Sequence, residues 1–232
     1  MKLEDEPHPL LRDDRDSSEP VDVSGLFAAV AAQTIDKTPS LHDRLVELST
    51  ELRTVGALAG MLIVGGIAVA ALGIRAELEG TDLLRVVASV LILVSLSAGS
   101  AGVALRGLHR GALEPGVAWG LGLFSLALPL LFASIPAWWP GLAPDGWATH
   151  LTCFGRGLLT TVGTSTAVLL FIRTRHPVPT RLLAASGAGG LSGMAVQQLV
   201  CSGNTPLHLL ACHGSLGFVV AGIVVFMASM RD

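Results

Sequence analysis

Charge is scarce in this chain: only 14% of its 232 residues are Asp, Glu, Lys or Arg, against about 25% in soluble domains. With 51% hydrophobic residues and a mean hydropathy of +0.63, this scarcity excludes a soluble globular domain and assigns the chain to a membrane. No acidic residue falls near the middle of any long apolar run, so ion- or proton-coupled transport lacks the carboxylate it would need at the bilayer midplane. No inverted repeat is visible either. A small-solute or metal transporter is therefore the weaker alternative. The three cysteines include no Cys-x-x-Cys pair, which argues against a membrane thiol oxidoreductase, and no enzymatic activity is expected. The opening MKLEDEPHPLLRDDRDSSEP has neither the basic nor the apolar region of a secretory signal, so nothing is expected to be cleaved there.

What the chain does have is apolar blocks of about 20 residues, the length a helix needs to cross the hydrocarbon layer. Six are expected: Val55 to Ile74, Leu84 to Leu105, Gly116 to Pro136, Leu151 to Ile172, Leu182 to Cys201 and Leu207 to Met230. The predicted fold is all-α, a polytopic six-transmembrane-helix bundle over residues 54–232. Residues 1–53 form a short cytoplasmic region, helical or disordered, that holds 12 of the 18 acidic side chains and 6 of the 15 basic ones. Arg106, Arg110, Arg173, Arg175 and Arg181 fall in loops on one side, whereas AWWPGLAPDGWATH and SGNTP on the other contain no Lys or Arg; Arg75 and Arg85, which flank the first loop on that other side, weaken the bias without reversing it. Positive charge is retained on the cytoplasmic side, so both termini are expected there. Trp138, Trp139 and Trp147 fit an aromatic belt on the outer side or a packed cap over it.

That topology brings Cys153 to the outer end of span four, Cys201 to the outer end of span five and Cys212 about one turn into span six. His150, His208 and His213 fall at the same level. His208 and Cys212, four apart, share a helical face. Thiolate and imidazole together are ligands for zinc and similar divalent ions, so a metal site is a reasonable expectation, although the spacing is not that of a zinc finger. Cys153 and Cys201 can alternatively form a disulfide on an oxidising face, or each cysteine can simply be a small buried apolar residue. These readings stay open at this point.

Arg156, one turn inside span four, is expected to snorkel to the interface. Ala185, Gly189 and Gly193 form a small-residue stripe for close helix packing, and Thr160, Thr161, Thr164 and Thr166 read as backbone-bonded or interhelical hydroxyls. Ahead of span one, Ser40 with Asp43 resembles a capping box, and Leu41, Leu45, Leu48, Leu52 and Val55 repeat every three or four residues. An amphipathic helix with this leucine stripe must bury it. Its polar face is not basic, which argues against a lipid surface and for a protein partner, with packing on its own bundle as the alternative. A weaker helix with Leu26, Phe27 and Val30 on its apolar side is expected after Ser24.

The membrane part, from LVELSTELRTVGAL to the end, resembles the NrsF-like bacterial membrane anti-sigma factors. The matching residues are Cys153 and Phe154, the RTRHPVPTRL loop with Arg173, Pro179 and Arg181, then GLSGM, QLVC ending at Cys201, and PLHLLACHG with His208 and His213. Cys212 stands where the family usually has an aromatic residue. The resemblance implies an inner-membrane protein whose N-terminal region sequesters a sigma factor of the extracytoplasmic-function type, without touching nucleic acid. It further implies that Cys153 and Cys201 sense a metal or oxidative stress and trigger release. The expected sensing layer is Cys153, Cys201, His208, Cys212 and His213, with Cys153, Cys201, His208 and His213 as ligands of a divalent metal ion; the expected partner stripe is Leu41, Leu45, Leu48 and Leu52.

Overall fold

The computed structural model describes residues 40–74, 83–106, 114–135, 146–172, 178–201 and 205–230. All belong to the second of two units, Met1–Pro39 and Ser40–Asp232. The helix expected after Ser24, Trp138, Trp139 and the Arg173 and Arg175 positions lie outside the described residues. Every element among the described residues is helical: α1 (Leu41–Glu47), α2 (Thr50–Leu72), α3 (Leu83–Leu105), α4 (Pro115–Ala133), α5 (Trp147–Leu169), α6 (Pro179–Val200) and α7 (Pro206–Ser229). The six long helices fall where apolar runs predict them, and α4 continues through Pro129.

One expectation needs correction. Among the described residues four helices, α2, α3, α4 and α7, are long and apolar enough to cross a membrane, not six. The reason is composition: α5 carries His150, Arg156 and several threonines, and α6 carries Ser186, Gln197 and Gln198 among its glycines. Sixteen of the twenty-two residues of α6 are buried, because α2, α3, α4, α5 and α7 all pack on it. A helix surrounded by other helices does not need a lipid-like surface. By contrast, Leu62, Ile63 and Ile67 of α2, Leu91 of α3, Phe124 of α4 and Phe226 of α7 face away from the bundle, an apolar exterior that fits a membrane and not water.

Small residues let α6 occupy the centre. Ser97 Oγ donates to Ala188 O at 2.7 Å, and Thr164 Oγ1 approaches Gly189 O at 3.3 Å. The expected stripe of Ala185, Gly189 and Gly193 faces α5, since a side chain at Gly189 would meet Thr161 O at 2.8 Å. Gly187 does the same toward α4, where a Cβ would lie 2.6 Å from the Ser125 carbonyl. Backbone cannot yield as a side chain can, so Gly187→Ala should cost about 1–3 kcal/mol through overpacking, read as a lower unfolding midpoint in detergent. Gly66→Ala, whose Cβ would meet nothing within 4 Å, is the control, and equal midpoints for the two variants would contradict this packing.

The leucine stripe before α2 is not one continuous helix. Ser40 and Asp43 do form the expected capping box, with Asp43 N donating to Ser40 Oγ at 3.2 Å and Ser40 N to Asp43 Oδ2 at 3.0 Å. However, α1 stops at Glu47: Leu48 is extended at ψ 152°, and Ser49 caps a new helix by accepting from Leu52 N at 3.3 Å. A serine that can cap competes with continued helix, and here it wins. Leu41, Leu48 and Leu52 are exposed and Leu45 is half-buried. Residues 50–53, read from sequence as N-terminal region, belong to α2, and Arg53 is buried.

Candidate metal centre

Three helix ends meet at one pole of the bundle: the start of α5, the end of α6 and the start of α7. Cys153 sits in the second turn of α5, and Cys201 is the residue that ends α6. Pro206 and the Thr205 cap, whose hydroxyl accepts from His208 N at 3.3 Å, start α7 so that His208 turns inward. α7 then changes character. Leu209–Gly214, the sequence LLACHG, is a turn of π-helix, closed by Ser215 N donating to Leu210 O five residues back at 3.0 Å. A Cβ at Gly214 would meet Leu130 and Ala133 of α4 at 3.0 and 3.1 Å, so glycine lets the widened turn press against its neighbour. Single π turns of this kind are frequent at functional sites.

The π turn decides which side chains face each other. In an α-helix His208 would share a face with Cys212, as expected from sequence. His208 and Cys212 keep that proximity, their donor atoms within 4.8 Å of each other, and the widened turn brings His213 beside His208 as well, the two imidazoles 5.2 Å apart between ring centres. His213 Nε2 is 3.3 Å from Cys153 Sγ, and His208 Nε2 is 3.2 Å from Cys201 Sγ. One donor atom from each of Cys153, Cys201, His208 and His213 lies within 4.8 Å of all the others, and all four residues are buried. An N-to-S edge of a tetrahedral zinc site is about 3.5 Å, given Zn–S near 2.3 Å and Zn–N near 2.0–2.1 Å. The two sulfur–nitrogen contacts already match that edge. The four residues expected as ligands are therefore brought together into a group that could hold a divalent metal ion.

Cys212 is placed beside this group: its Sγ donates to His150 O at 3.3 Å, and with His150 and His208 it makes a second, overlapping donor set. His150, noted from sequence only as part of the layer, is thus a direct neighbour, its Nδ1 2.7 Å from His208 Nδ1. None of the three cysteines is in a disulfide. Gln197 is the residue that sequence reading missed. It is buried in the last turns of α6, its Nε2 donates to Cys153 O at 3.1 Å, and Gly157 leaves room for it, because a Cβ there would overlap its side chain. A glutamine deep in an otherwise apolar helix was the available signal. A cleft of about 290 Å³ between α5 and α6 reaches Cys153 and Cys201, with Thr149, Thr152 and Arg156 exposed at its rim, a route by which an ion can enter.

Comparison with protein-family models, with curated proteins and with solved structures gives no match. What the chain does must be read from its own residues.

At the opposite pole, α5 ends against the segment that precedes α2. Arg53 Nη1 donates to Phe171 O at 3.3 Å and Nη2 to Thr50 Oγ1 at 3.1 Å, and His42 Nδ1 lies 3.2 Å from Leu170 O. Cationic and N–H groups are favoured at a helix C-terminus, where carbonyls lack partners. α5 is one unbroken helix of 23 residues, about 35 Å at 1.5 Å per residue. A single rigid rod therefore has Cys153 near one end and the α1–α2 junction against the other.

Proposed function

We propose that the chain is a membrane anti-sigma factor of the NrsF-like kind, held in the bacterial inner membrane with both termini in the cytoplasm. Its N-terminal region holds an extracytoplasmic-function sigma factor, and binding of a soft or borderline divalent metal ion at the Cys/His group releases it. The observation that carries this reading is the convergence of Cys153, Cys201, His208 and His213 from three helix ends, 60 residues apart in sequence for the contacting pair Cys153 and His213. Two imidazoles standing among the thiols favour a metal over a disulfide as the stimulus.

Arg53, Arg106 and Arg181 gather at the pole opposite the cysteines, where Arg181 Nη2 donates to Arg106 O at 3.2 Å. That grouping supports a cytoplasmic assignment for this pole and an outward-facing metal centre.

The test is capture of the full-length protein from its native membrane, with the bound proteins identified by mass spectrometry. A stoichiometric sigma factor is expected, lost when residues 1–49 are deleted. A transporter would bring down none.

A further inference from the structure

His208 uses its two ring nitrogens in two directions. Nε2 faces Cys201 Sγ at 3.2 Å, within the four-residue group, and Nδ1 faces His150 Nδ1 at 2.7 Å, away from it. His150, His208 and Cys212 bring one donor atom each to within 4.8 Å of one another. His208 and Cys212 are buried and His150 half-buried, with the edge of Trp147 against the His150 ring at 6.4 Å between centres. We infer that this second set is a second metal position, so that the bundle holds a pair of ions bridged by the imidazole of His208. This rests on the metal reading of the first group, since His208 is shared.

The chemistry balances without an added reactant. The first ion takes Cys153, Cys201, His208 Nε2 and His213 Nε2 and displaces the two thiol protons, giving a neutral site. One proton then remains between the two Nδ1 atoms of His150 and His208. The second ion replaces it: His208 loses its last ring proton and becomes an imidazolate, Cys212 loses its thiol proton, and His150 coordinates as a neutral ring. Two more protons leave. Two divalent ions are matched by three thiolates and one imidazolate, so no net charge is left in a low-dielectric interior where an uncompensated one is costly. The nitrogens need to part from 2.7 Å to only about 3.3 Å, the N-to-N edge of a tetrahedral site. Three protein ligands leave one coordination position open. With fewer ligands and a ring proton to displace, the second ion binds more weakly than the first.

The experiment uses the full-length protein, reduced and in detergent, titrated with Co²⁺. Each Co²⁺–thiolate bond contributes a charge-transfer band that carboxylate-bound ions lack, which separates the bundle from the acidic N-terminal region. The expected result is two thiolate-bound ions per chain in two steps, with two protons released in each. Cys212→Ala should keep the first step and lose the second. The Cys153→Ser, Cys201→Ser variant should retain one ion, bound weakly through a single thiolate. His150→Ala should lose the second step and weaken the first about 10–100-fold, as removing the partner of a ligating histidine does. A wild-type titration that ends at one ion, with Cys212→Ala indistinguishable from it, would overturn the proposal and leave His150 and Cys212 as positioning residues. Failure of any thiolate-bound Co²⁺ to form would overturn the metal reading of the first group as well.

Discussion

Replacing Cys153 and Cys201 together by serine is expected to lower Zn²⁺ affinity at the four-ligand site by more than 100-fold. Loss of an outer-shell partner alone costs about 10–100-fold, and here half of the inner ligands go. Serine hydroxyls do not ionise near neutral pH, so the variant should also lose the pH dependence that thiol ligands impose. In the wild type each bound ion must displace thiol protons, so affinity falls as pH falls; in the variant that slope should flatten. The bundle itself should survive, because the two cysteines pack only as small buried groups at the end of α5 and α6, and the central contacts of α6 lie elsewhere. Isothermal titration at two pH values checks both parts. Unchanged affinity would mean that the thiols are structural.

The second large effect is expected at the other pole. Leu41, Leu48 and Leu52 are exposed and Leu45 half-buried, and on the proposed reading a sigma factor covers them. Burying a leucine is worth about 1.5–3 kcal/mol, so Leu45→Asp with Leu48→Asp removes at least about 3 kcal/mol and adds the cost of buried carboxylates. Partner affinity should fall by more than 100-fold, at about 1.4 kcal/mol per factor of ten, with Zn²⁺ binding and membrane insertion unchanged. Retained affinity in the double variant would place the interaction before Ser40, or leave α1 as packing for its own bundle.

The helices were legible because each apolar run is bounded by loops rich in Gly, Pro or Arg, and the run lengths match the observed elements to within a few residues. The Cys/His group was legible for a topological reason: successive antiparallel helices carry Cys153, Cys201 and His208 to the same end, whatever their separation in sequence. α-helical spacing joins His208 to Cys212, and the structure keeps their donor atoms within 4.8 Å; what local spacing did not reveal is the π turn over Leu209–Gly214 that sets His213 beside them. The break between α1 and α2 was missed because a hydrophobic repeat runs straight across it, while the deciding interaction is a cap by Ser49. Arg53 looked like one charge among many in an acidic segment. Its burial against Phe171 O follows from where α5 ends, which no local pattern reveals. Four apolar helices in place of six reflect the same limit: α6 is central, and a central helix is free to be rich in glycine and amide side chains.

The account couples the two poles through α5, which has Cys153 near its start and the carbonyls of Leu170 and Phe171, held by His42 and Arg53, just past its end. A ligand shifts such an equilibrium only by binding one arrangement more tightly than the other. The most direct test is to reconstitute the full-length protein with its captured sigma factor in lipid vesicles, add Zn²⁺ on the cysteine side, and measure the sigma factor that remains bound. The account predicts release from the wild type and none from the Cys153→Ser, Cys201→Ser variant. Equal release from both, or a sigma factor that stays bound to a Zn²⁺-saturated wild type, would contradict it.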